Sequence, residues 1–88
     1  MGIHINFAPD MDVNSNTDNP VIGLRSFGEN PEAVADKGLA YARGWKQGIL
    51  SVAKHFPGHG DTAEDSHYTL PAVHHDRARL DSVELLPF

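Results

Sequence analysis

A short, nearly continuous apolar run, Ile49-Leu50-Ser51-Val52-Ala53, follows directly on an amphipathic helical pattern, and this succession narrows the possible folds more than any other feature. Such a run is expected of a strand buried on both faces of a parallel sheet. Upstream, Ile3-His4-Ile5-Asn6-Phe7-Ala8 alternates apolar and polar residues, which suits a first strand, and Pro9 ends it. Asn30-Pro31-Glu32 reads as an N-cap, a first-turn proline and an acid on the positive end of the helix dipole. Val34, Gly38, Tyr41 and Trp45 then fall on one stripe, while Glu32, Asp36, Lys37, Arg43 and Lys46 lie mostly away from it, and Gly48 is the expected stop. Strand 3–8, loop 9–29, helix 31–47 and strand 49–54 therefore compose a βαβ unit. A second loop, 55–75, leads to a helix over 76–86, capped by Asp76 and ended by Pro87.

With 88 residues the chain makes at most one small domain. Hydrophobic residues at 40% against 22% charged indicate a packed chain rather than a disordered one. A net charge of -5 with dispersed cations offers no face for nucleic-acid phosphates, so nucleic acid is not an expected partner. The absence of cysteine excludes a disulfide framework and a thiolate zinc site. Met1 to Pro9 shows no basic leader or cleavage pattern, and no segment approaches the roughly 20 apolar residues of a membrane span.

Chemistry concentrates after the second strand, in Lys54-His55-Phe56-Pro57-Gly58-His59-Gly60-Asp61-Thr62-Ala63-Glu64-Asp65-Ser66-His67. This stretch delivers a cation, three imidazoles and three carboxylates at the end of a parallel strand where α/β folds bind ligands. A metal site could draw on His55, His59, Asp61, Asp65 and His67, but Pro57-Gly58 breaks the helix on which His55 and His59 would share a face. Each histidine taken singly is an ordinary loop residue, the reading adopted for His74 and His75. In the third reading Asp65 brings a carboxylate to one nitrogen of His67, leaving the other to face a substrate, an acid/base device that works near neutral pH.

The string Lys54-His55-Phe56-Pro57-Gly58-His59-Gly60 resembles the signature of glycoside hydrolase family three, in its β-N-acetylglucosaminidase (β-N-acetylhexosaminidase) branch. Asn6-Phe7-Ala8-Pro9, Asp12-Val13-Asn14, Asn19-Pro20-Val21-Ile22-Gly23 and Arg25-Ser26-Phe27-Gly28 resemble the same branch in the same order, covering nearly the whole chain. The resemblance implies that His67 is the general acid/base and Asp65 its orienting partner, while Arg25, Lys54 and His55 hold the sugar. It also implies a retaining double displacement that removes terminal β-linked N-acetylglucosamine, as in turnover of peptidoglycan or chitin-derived oligosaccharides. His59 stays unassigned, and no cofactor or metal is implied.

The implied parent fold is an α/β barrel of the (β/α)8, or TIM-barrel, kind, which needs roughly 250 residues. The chain supplies about two of its eight βα units and is expected to be a fragment of the catalytic domain. The family's aspartate nucleophile lies on a later strand; nothing after His67 resembles its context, and Asp76 and Asp81 sit in the expected helix. The isolated chain should therefore bind sugar weakly and hydrolyse nothing. Unpaired strand edges should make it self-associate or remain partly ordered, whereas gel filtration showing a compact monomer with cooperative unfolding would contradict this. Alternatives from other classes are a non-catalytic carbohydrate-binding or assembly module, and a metal-dependent hydrolase. The compartment, cytoplasm or cell envelope, is left open.

Overall fold

A computed structural model describes residues 2–45 and 48–88. Strand β1 (Ile5–Asn6) is followed by a long segment with one 3-10 turn (Gly23–Arg25), helix α1 (Pro31–Gly44), strand β2 (Leu50–Ser51) and helix α2 (Arg77–Ser82). The two strands pair in parallel, Ile5 opposite Leu50 and Asn6 opposite Ser51. A right-handed helical connection between parallel strands is the repeating unit of a (β/α)8 barrel.

Both strands are shorter than the expected 3–8 and 49–54, and the register explains why. Pairing resumes at Asp10 opposite Lys54, an offset of 44 residues where β1 and β2 have 45. One extra residue on the first strand makes a bulge, and the Val52 amide lies between two carbonyls, those of Asn6 at 2.9 Å and Ala8 at 3.1 Å. Beyond the bulge the Met11 amide donates to the Lys54 carbonyl at 2.6 Å, so the ladder reaches the start of the chemically loaded loop. Peptide bonds Ala8-Pro9, Lys54-His55 and Phe56-Pro57 are cis around this junction.

Helix α1 begins as its sequence dictates: the Asn30 side chain accepts from the Ala33 amide at 2.8 Å and Pro31 opens the first turn. It ends at Gly44 rather than 47, because the Trp45 amide turns back to Ala42 and Arg43 and Trp45 leaves helical geometry. Residues 46 and 47 of the expected helix lie outside the described residues. On the stripe only Val34 and Gly38 are buried, while Tyr41 and Trp45 meet at 6.2 Å with their ring planes tilted by 54° and stay exposed. No helix among the described residues is long and apolar enough to cross a membrane.

The hydrophobic core is not in the strands. Leu50 is 69% exposed, so the apolar run read as buried on both faces is open here: a two-stranded ribbon has no neighbours to cover it. Instead Met11, Val13 and Ile22, all from the loop expected at 9–29, are buried with Val34. Close approach of α1 depends on Gly38, where a Cβ would come within 2.0 Å of Met11 Sδ. Helix α2 is also shorter than the expected 76–86. Asp76 caps it, accepting from the Arg79 amide, but the chain leaves the helix at Val83, and Glu84 turns inward to meet Arg79 Nη2 at 3.1 Å.

Candidate active site

At the floor of the site lies Asp12, completely buried three residues after Pro9. Its carboxylate accepts from the His59 amide at 2.6 Å, from the His55 amide at 3.1 and 3.2 Å, and from His55 Nδ1 at 2.7 Å. Forty-three residues of sequence separate Asp12 from His55, so one acid gathers the loop after β2 onto the loop after β1. Burial pushes the Asp12 carboxyl up, but the Asp10 side chain, the His55 ring and the two amides together hold it below the ordinary value. Arg25 Nη2 stands 3.4 Å from His55 Nε2 and 3.4 Å from Asp10 Oδ2. An arginine can only donate, so His55 Nε2 is the acceptor and its proton sits on Nδ1, facing Asp12.

Asp10 has the opposite behaviour. Burial, then the adjacent Asp12 carboxylate, raises its pKa from the ordinary 3.8 to about 7, against the pull of Arg25. A carboxyl with a raised native pKa binds its proton more tightly in the folded than in the unfolded chain. Its stabilisation is complete below pH 3.8 and is lost as pH rises to about 7, with Asp12, Arg25 and His55 the charged or titratable groups in contact. Asp10→Asn, whose amide mimics the protonated acid, should remove this decline and stabilise the chain at pH 8 by about 2 kcal/mol, half of the roughly 1.4 kcal/mol per pKa unit because solvent screens a partly buried group. Urea midpoints from pH 4 to 8 measure it; parallel curves for the two proteins would refute the assignment.

A second brace holds the loop at 59–62. Asn19 Nδ2 donates to the carbonyls of His59 at 2.7 Å and Thr62 at 2.8 Å, while its Oδ1 accepts from the amides of Val21 and Ile22. Buried Thr62 pairs through Oγ1 with His59 Nδ1. Between them Gly60 passes so close to the first loop that a Cβ would fall 1.7 Å from the Val13 carbonyl oxygen. Backbone cannot yield as a side-chain tip does, so Gly60→Ala should destabilise by at least about 3 kcal/mol, the upper range of overpacking. A urea midpoint unchanged by this substitution would contradict the contact.

Further along the same loop, Asp65 Oδ1 accepts from His67 Nδ1 at 2.6 Å and from the His67 amide at 2.9 Å. That amide, then the ring, holds the Asp65 carboxyl below its ordinary value, so it is an anion at neutral pH. With Nδ1 occupied, Nε2 of the 76% exposed His67 side chain is the nitrogen left to a ligand.

The five residues singled out from sequence thus form two clusters. Asp65 and His67 are paired, and Arg25 and His55 share one network with Asp10 and Asp12. Lys54 joins that network through its backbone, and its ammonium is not among the groups bonded there. No hydrogen bond or ion pair among the described residues ties the two clusters directly. Sequence reasoning missed Asp10, Asp12, Asn19 and Thr62 as parts of the site. Asp12 and Asn19 fall within the strings that carried the family resemblance, which was the available signal. Among the described residues, two sets of side chains bring three metal-capable atoms within 4.8 Å of one another: Asp10, Asp12 and His55, and separately Asp61, His75 and Glu84. Each set has an arginine beside it, Arg25 3.4 Å from Asp10 Oδ2 in the first and Arg79 3.1 Å from Glu84 Oε1 in the second.

Residues 1–88 match the family described as the glycosyl hydrolase family 3 N terminal domain. Beta-hexosaminidase A of Pseudoalteromonas piscicida is 56% identical over 89 residues, covering 100% of this chain and 15% of that protein. A beta-hexosaminidase of Neisseria meningitidis is 46% identical over 88 residues, covering 99% of this chain and 24% of that one. A solved glycoside hydrolase family 3 beta-N-acetylglucosaminidase from Paenibacillus sp. superposes with a TM-score of 0.94 at 54% identity, over 98% of this chain and 16% of that one. The chain therefore spans between 15% and 24% of the length of these relatives.

Proposed function

The chain belongs to glycosyl hydrolase family 3, with the α/β fold of a partial (β/α)8 barrel, and from that premise we propose that it supplies the acid/base and sugar-gripping part of a retaining β-N-acetylhexosaminidase. One observation carries the reading: the 2.6 Å contact between Asp65 Oδ1 and His67 Nδ1. The ionised carboxylate fixes the tautomer and stabilises the imidazolium, so Nε2 can protonate a glycosidic oxygen in one step and deprotonate water in the next. The usual retaining scheme sets two carboxyl groups about 5–5.5 Å apart. Here an imidazole takes over one of those roles, and the nucleophile comes from outside these residues. Arg25, Lys54 and His55 are the sugar-binding groups, a charge-assisted hydrogen bond from either cation to a hydroxyl contributing about 1.5–3 kcal/mol. The substrate class is a glycoside with terminal β-linked N-acetylglucosamine, such as a peptidoglycan- or chitin-derived oligosaccharide.

A chimera tests the proposal. Residues 1–88 replace the matching stretch of the Pseudoalteromonas piscicida enzyme, and release of nitrophenol from 4-nitrophenyl N-acetyl-β-glucosaminide is followed. The chimera is expected to turn over and the 88-residue chain alone to bind N-acetylglucosamine without hydrolysis. A folded chimera without activity, or hydrolysis by the isolated chain, would overturn the assignment of roles.

A further inference from the structure

Outside the two clusters above, Asp61, His75 and Glu84 come together from three places in the chain: the start of the Asp65-His67 loop, its end, and the turn after α2. His75 Nε2 pairs with Asp61 Oδ2. Glu84 is 3% exposed, and its Oε2 is buried with no hydrogen-bond partner among the described residues, although Oε1 accepts from Arg79 Nη2 at 3.1 Å. A buried carboxylate oxygen without a partner is costly, and natural structures rarely leave one so without a reason. Asp61 and His75 keep only 22% and 28% of their side chains exposed, so an ion held among the three would be largely shielded from solvent.

We propose that Asp61, His75 and Glu84 form a binding site for a borderline divalent transition metal of the zinc type. One imidazole nitrogen and two carboxylate oxygens suit such an ion, with water completing a tetrahedral shell, whereas the imidazole disfavours magnesium or calcium. Arg79 neutralises part of the acidic charge, leaving the site with about one net negative charge for a dication. On binding, the Nε2 proton that faces Asp61 is given up to solvent, Nδ1 carries the ring's one remaining proton, and the neutral imidazole donates the freed Nε2 lone pair to the metal. Because positions 61 and 75 bracket Asp65 and His67, the ion closes the loop carrying that pair and ties its ends to the turn at Glu84. Its role is to hold the loop in shape, without contact with the sugar.

The test uses the 88-residue chain titrated with Co2+, whose visible absorption reports its coordination, followed by competition with Zn2+. Expected are one equivalent bound, displacement by Zn2+, and affinity lowered more than about tenfold by His75→Ala and by Asp61→Asn, with His67→Ala unchanged. Far-UV circular dichroism of the variants checks that they fold; should one of the pair fail to fold, the other decides. Proteolysis within 61–75 should slow in the wild-type chain when metal is added. Absence of one-equivalent binding, affinity undiminished by either ligand substitution, or loss of binding in His67→Ala would overturn the site.

Discussion

Replacing Asp12 with asparagine is expected to destabilise the chain by about 3–5 kcal/mol, enough to leave much of it unfolded at 25 °C. Asp12 is buried completely and accepts from three donors, two of them amides that cannot move independently of the loop after β2. Asparagine keeps the shape but turns one acceptor into a donor. Whichever way the amide is flipped, its NH2 faces either the His59 amide or the His55 ring and amide, leaving donors confronting donors. The negative charge that, after burial, raises the Asp10 pKa is lost as well, so that pKa should fall part of the way toward its ordinary range. Urea denaturation followed by circular dichroism measures the loss. A midpoint within the error of the wild-type value would mean that Asp12 does not join the two loops.

This dependence on one buried acid marks the boundary of what sequence could disclose. Local devices were legible because both partners lie within a few residues: Asn30 capping Ala33, Asp76 capping Arg79, and Asp65 two positions before His67. The role of Asp12 depends on partners 43 and 47 residues away, and in sequence it is one more acid in a polar, turn-rich stretch. Asn19 is similar: it stands in a turn-forming triplet, and only the fold shows its side chain bridging to His59 and Thr62. The apolar run at 49–53 carried correct information about strand formation but not about burial, since hydrophobicity records what a larger sheet would cover and exposure records what neighbours are present. Likewise the helix expected over 76–86 stops after Ser82, and Glu84 beyond it pairs back to Arg79.

In the chimera, His67→Ala should lower kcat by about 10²–10⁴ and lower KM with it, because the imidazole acts on the transition states and its loss lets the glycosyl-enzyme accumulate. The distribution of the loss between steps is informative. Nitrophenolate leaves readily without a proton, so formation of the glycosyl-enzyme intermediate should be slowed less than its hydrolysis, which needs a base to activate water. A burst of about one equivalent of nitrophenol followed by slow turnover is therefore expected. Asp65→Asn should produce a loss in the same direction, since a neutral amide neither stabilises the imidazolium nor enforces the tautomer that the 2.6 Å contact to Nδ1 now sets. Arg25→Ala, acting on a group 3.4 Å from His55, should instead raise KM. Were His67→Ala to retain kcat within threefold of the unsubstituted chimera, the proton would have to travel by another group, and the pairing of residues 65 and 67 would be structural only.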